Sequence, residues 1–123
     1  KLVYYGEFTK NTGAMGAEDL ISKGVTAIFA GNDEIAVGIY EYAKKEKIKI
    51  PEELSVVGFD NTSICDFLTP PLSSVEQNTE QLAEKIVEVM LADLEKTEEE
   101  DAPSNYYYTP VLKERTSVGK MIL

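Results

Sequence analysis

Four side chains stand just past four apolar runs. Phe8 follows "LVYY", Asn32 follows "VTAIFA", Asp60 follows "LSVVGF" and Gln77 follows "LSSVE". An aromatic ring, two carboxamides and a carboxylate suit a polyhydroxylated ligand. A sugar ring stacks its apolar face on an aromatic, gives hydroxyl protons to a carboxylate and exchanges hydrogen bonds with amides. A base or nucleoside fits the same set less exclusively. Singly, each residue has a plainer role open to it: helix cap for Asn32, cap or Asx-turn for Asp60, packing for Phe8. The chemistry depends on whether the fold brings the four together.

Other chemistries find little to work with. The chain has no His to serve as a general base, and Cys65, its only cysteine, has no base partner in the sequence. No intrachain disulfide can form, which mildly favours a reducing compartment such as the cytoplasm. A phosphoacceptor built on Asp60 would need a carboxylate pair after the first run to hold Mg²⁺, and "YYGEFT" supplies only Glu7. The expectation is a binding protein with no catalytic residue, metal or cofactor.

The elements that must position the four residues alternate between two patterns. Leu2–Tyr5 reads as a first strand. Asn11 or Thr12 can cap a helix to about Lys23, with Gly24 in the place of a C-terminal glycine. Val25–Ala30 is a second strand, and Asn32 or Asp33 opens a helix to about Lys47. Its Ile35, Ile39, Tyr42 and Ala43 form one stripe. Leu54–Phe59 and Leu72–Glu76 are strands three and four. Asn78 with Gln81 resembles a capping box that opens the longest helix, to about Lys96. Leu82, Ile86, Val89, Met90 and Leu94 lie on one side of it. Glu98–Asp101 is a solvated charge run. "YYYTPVLKERTSV" reads as a closing strand interrupted by Pro110.

Strands separated by helices need crossover connections, which make the sheet parallel. The predicted fold is a three-layer α/β/α, doubly wound, mainly parallel sheet. In such sheets ligands bind beyond the carboxyl ends of the strands. Phe8, Asn32, Asp60 and Gln77 should therefore converge on one edge.

The whole chain agrees with a single ordinary domain: 123 residues, 43% hydrophobic and 28% charged. A net charge of −10 repels phosphate backbones, so this chain should not hold nucleic acid by itself. No apolar run approaches the length of a membrane span. The first residue is Lys rather than Met, and the expectation is a piece of a longer or processed protein.

"TAIFAGNDEIAVG", "IPEELSVVGFDNT" and "TPPLSSVEQ", in that order and spacing, resemble the effector-binding core of the LacI/GalR family of bacterial regulators. "YYGEFTKNTG" is similar to the segment before that core and "TPVLKERTS" to the closing strand. The resemblance implies a dimeric, cytoplasmic, DNA-binding regulator. Its small DNA-binding head is followed by two periplasmic-binding-protein-like subdomains hinged around a small-molecule effector, a carbohydrate or a related compound. This chain would be the C-terminal subdomain, residues 1–77 and 106–123. The helix at 79–96 would belong to the N-terminal subdomain, and the head and the rest of that subdomain would lie outside the chain.

By the same resemblance Phe8, Asn32, Asp60 and Gln77 are the effector contacts. Val37 and Tyr40, read as a second, outward apolar face, would pair two-fold with Ile64, Phe67 and Leu68 of an exposed loop. The alternatives are a periplasmic sugar-binding protein of an uptake system and, more remotely, a flavodoxin-like phosphoacceptor or enzyme.

Overall fold

The computed structural model describes residues 2–95 and 105–120. The chain divides into two compact units, Lys1–Glu76 with Leu112–Leu123, and Gln77–Val111.

The first unit opens with α1 (Lys10–Ser22). Its N-cap is Thr9, in extended conformation, whose hydroxyl accepts from the Thr12 amide. The expected caps, Asn11 and Thr12, fall inside the first turn instead, because the earlier hydroxyl already takes the cap position. Gly24 follows the helix at φ 82, the left-handed geometry expected of a C-terminal glycine.

Next come β1 (Ala27–Phe29) and α2 (Asp33–Glu46). Asn32 caps α2 as expected: its Oδ1 accepts from the Ile35 amide at 2.8 Å. Asp33 and Glu34 in the first turn and Lys44 and Lys45 in the last turn oppose the helix dipole. The chain continues through β2 (Ser55–Phe59), the short α3 (Ile64–Phe67) and β3 (Ser73–Glu76). The expected exposed loop thus contains one helical turn, too short for apolar periodicity to reveal.

β1, β2 and β3 are parallel neighbours, with Ala27 opposite Ser55 and Val57 opposite Ser73. β4 (Val111–Lys113) completes the order β1-β2-β3-β4. It is far shorter than the closing strand expected, beginning only after Pro110, which lacks an amide hydrogen for a ladder. The residues beyond it are held by both backbone and side-chain bonds, among them the Val56 amide to the Ser117 carbonyl at 2.9 Å. Ser117 donates to the Val56 carbonyl at 2.6 Å and accepts from the Ser73 amide at 2.8 Å.

The core gathers Ala17, Ile28, Ile39, Leu54, Val56 and Leu72 from α1, β1, α2, β2 and the residues just before β2 and β3. α1 and α2 pack side by side, and α2 covers β2.

Two expectations need correction. Leu2–Tyr5 is not a strand of the described sheet, and Leu2, Val3 and Tyr5 are exposed. A strand requires a ladder partner, and an apolar groove of about 440 Å³ lies between this segment and β1, lined by both. Val37 and Tyr40 do not form an outward face, for both are buried. The Tyr40 ring joins the core and its hydroxyl donates to the Pro70 carbonyl at 3.0 Å. Leu68 likewise packs partly against the core, whereas Ile64 and Phe67 are exposed.

The second unit is built on α4 (Thr79–Glu95), whose Asn78 cap accepts from the Gln81 amide at 3.4 Å. No residue of α4 is buried: Leu82, Ile86, Met90 and Leu94 are between 39% and 80% exposed. Lys85 lies 4.5 Å from the Tyr106 ring centroid and pairs with Glu88 at 2.8 Å. The Glu98–Asp101 run and the helix end near Lys96 fall outside the described residues. Among the described residues no helix is long and apolar enough to cross a membrane.

Candidate functional site

Asn32 and Asp60 follow adjacent parallel strands, β1 and β2, and so emerge at the same edge of the sheet. They line one recess of about 400 Å³ together with Asp33, Thr62 and Ser63. Asn32 uses its carbonyl oxygen on the α2 cap, so the NH₂ end is the donor it can offer a ligand. Phe8 lies beside Gly31, the residue before Asn32, and lines the apolar groove next to β1 rather than this recess. A Cβ on Gly31 would sit 3.3 Å from the Phe8 ring, which is itself 69% exposed and available for stacking. Gln77 is the first residue of the second unit, so its convergence with the other three remains an expectation.

The geometry at Asp60 is unusual. Asp60 has φ 101 and Asn61 φ 51, two consecutive non-glycine residues in the left-handed region. Such residues typically cost about 1–3 kcal/mol each and persist where their surroundings over-determine them. Here the surroundings can be named. The Asp60 amide donates to the Val75 carbonyl at 2.9 Å. The Asn61 amide donates to Ser74 Oγ at 3.1 Å. The Asn61 side chain donates to Glu76 at 3.1 Å and accepts from the Arg115 guanidinium at 2.9 Å. Thr62 donates both its amide and its hydroxyl to Asp33 Oδ2, at 2.7 and 2.9 Å.

Two carboxylates therefore anchor the loop. Asp33, at the first position of α2, is 1% exposed and also accepts from Ser74 Oγ at 2.6 Å. Glu76, at the end of β3, takes hydrogen bonds from Lys113 and Asn61, which hold its carboxyl below the usual range. Arg115 adds bonds to Asp66 at 2.7 Å and to the Leu72 carbonyl at 2.8 Å. Asp33, Ser74 and Arg115 were not legible as site residues. Their partners lie 13 to 54 positions away in the chain, and an Asp just inside a capped helix signals only a dipole-matched first turn.

The recess can present an amide donor and a carboxylate to a small polar molecule.

Comparison with known proteins follows the same line. Residues 2–118 match the family of periplasmic binding protein-like domains. The chain is 31% identical over 114 residues to the ribose operon repressor of Escherichia coli K12, covering 91% of this chain and 34% of the relative. It is 32% identical over 97 residues to the HTH-type transcriptional repressor PurR of Vibrio cholerae, covering 77% of this chain and 29% of the relative. The chain thus spans about a third of the length of the curated relatives it matches. Among solved structures it resembles a LacI family transcriptional regulator from Enterococcus faecium with bound ribose. The TM-score is 0.83 at 26% identity, over 94% of this chain and 42% of the other. It also resembles the CelR–cellobiose complex, with TM-score 0.80 and 26% identity over 92% and 35%. The chain belongs to the periplasmic binding protein-like family, as part of the effector-binding domain of LacI-family transcriptional regulators.

Proposed function

We infer that the chain is one wall of a sugar-sensing cleft in a transcriptional regulator. The observation that carries this reading is the shared recess of Asn32 and Asp60 at one sheet edge. Two relatives of known structure hold sugars, ribose and cellobiose, which are therefore the first effectors to try. Asp60 accepts ligand hydroxyls, Asn32 donates to the ring or its hydroxyls and Phe8 stacks; Gln77 is the fourth contact that the family resemblance suggests.

The effector needs no chemistry done on it. Ligand that binds a closed cleft more tightly than an open one shifts the population between them, and DNA affinity changes elsewhere in the protein. DNA would be held by a part outside this chain, whose own net charge is −10. The helix around 79–96 would pack in the other subdomain, which accounts for an apolar stripe with no buried residue. The protein would act as a cytoplasmic homodimer. Its two-fold contact would centre on Phe67 and Ile64, with Leu68, Val37 and Tyr40 flooring the groove beneath Phe67.

The test is Asp60→Ala in the intact regulator, with D-ribose and cellobiose titrated by calorimetry. A charge-assisted hydrogen bond contributes about 1.5–3 kcal/mol, so affinity should fall at least about tenfold. Unchanged affinity for a sugar that the wild type binds would remove Asp60 from the site.

A further inference from the structure

Asp33 is the most deeply buried charged residue described, and the ligand set does not use it. Its carboxylate lies where three elements meet. It belongs to the first turn of α2, one residue after the Asn32 cap. Its Oδ2 takes both donors of Thr62, two residues after Asp60. Its Oδ1 takes the hydroxyl of Ser74 in β3, and the same Ser74 oxygen accepts the Asn61 amide. β2 makes room for it at Gly58, where any Cβ would collide with Asp33 Oδ1 and lie 2.9 Å from Leu72 Cδ2. Gly58 and Ser74 are register partners, so the carboxylate sits over one rung of the sheet.

We propose that Asp33 is a positioning residue for the ligand site. One buried carboxylate ties the left-handed Asp60–Asn61 turn to the N-terminus of α2 and thereby sets the separation of Asn32 from Asp60. The residue type follows from the partners. Three hydrogens converge on the group, two from Thr62 and one from Ser74, and an ionised carboxylate accepts all three while donating none. An asparagine would bring its own NH₂ group into a place where only acceptors are wanted. A glutamate would carry the carboxylate too far for the space above Gly58. The N-terminal end of α2 adds a field that favours the negative charge.

The experiment has two arms. In the first, amide hydrogen exchange is followed on the 123-residue chain with no ligand present. Asp33→Asn should raise exchange at Asn61 and Thr62 at least tenfold relative to wild type, once both are corrected for global stability. Val56 in β2 should not change. Thr62→Val removes one of the three bonds at an exposed residue and should give a smaller rise at the same two amides, so a poorly folding Asp33 variant does not end the test. Exchange that rises only in the first turn of α2, or uniformly along the chain, overturns the positioning role and leaves Asp33 as a cap or fold residue.

The second arm rests on the sensor reading and uses the intact regulator with D-ribose and cellobiose. Asp33→Asn and Asp33→Glu should each weaken binding at least tenfold in the folded fraction. A variant that melts at lower temperature but binds with wild-type affinity, while Asp60→Ala does not, overturns the proposal. If Asp60→Ala binds as well as wild type, the sensor reading fails instead, and the exchange arm still decides whether Asp33 holds the loop.

Discussion

Gly13 of α1 and Gly38 of α2 face each other at the point where the two helices touch. A Cβ built on Gly13 would lie 3.1 Å from the Gly38 Cα and collide with the Ile35 carbonyl. A Cβ on Gly38 would collide in turn with the Lys10 carbonyl. Backbone meets backbone here, and each obstacle is a peptide group that cannot swing away. Gly38→Ala should therefore destabilise the chain by about 1–3 kcal/mol, the usual cost of overpacking, despite the better helix propensity of alanine. Urea unfolding followed by circular dichroism measures this; a neutral or stabilising Gly38→Ala would show that the helices can separate freely.

Arg115 should be hard to replace. Its guanidinium reaches Asp66, the Asn61 side chain and the Leu72 carbonyl at once. A lysine ammonium cannot span three acceptors set by a planar fork. Arg115→Lys should behave nearly as badly as Arg115→Ala, each losing about 1.5–3 kcal/mol. Denaturant midpoints of the two variants provide the comparison, and full recovery by lysine would argue for simple charge.

Cys65 is buried, and burial pushes its thiol up to about 11, with Asp33 nearby adding to the effect. Tyr40 moves the same way, to about 12, chiefly through burial. A folded-state value above the unfolded one means stability that is complete below the ordinary thiol range, near pH 9, and lost as pH climbs through about 11. The denaturant midpoint should fall between neutral pH and pH 10.5, and Cys65→Ala should shrink the fall. Native protein should also resist iodoacetamide at neutral pH until unfolded. Rapid native labelling would contradict the burial.

Phe67 is 80% exposed at the end of α3 and borders a groove of about 700 Å³ floored by Val37, Tyr40 and Leu68. An aromatic ring so placed is suited to a two-fold apolar contact. Wild-type protein should be dimeric by light scattering at tens of micromolar, and Phe67→Glu monomeric yet folded by circular dichroism. A monomeric wild type, or a Phe67→Glu dimer, would move the interface elsewhere.

What the sequence by itself determined is local. Asn32 is legible as a cap because the cap, its acceptor and the Ile35 amide lie within one turn. The strand runs ending at Asn32 and Asp60 are legible because β-branched apolar runs bounded by glycine and polar residues need no distant partner to be recognised. Alternation of those runs with helices implies a parallel sheet, and a parallel sheet puts Asn32 and Asp60 on one edge.

Only the tertiary structure decided how that edge is held. The left-handed turn at Asp60 and Asn61 survives because Asp33, Ser74 and Arg115 meet it from 13 to 54 positions away. No periodicity encodes such a meeting. Leu2–Tyr5 has the composition of a strand, yet a strand exists only where a neighbour offers a ladder. Val37 and Tyr40 fall off the predicted apolar stripe, yet both are buried. Two glycines admit α1 against α2, and the Pro70 carbonyl lies within reach of the Tyr40 hydroxyl. Sequence spacing states which way a side chain leaves its own helix; what it meets there depends on segments whose approach only the packed chain settles.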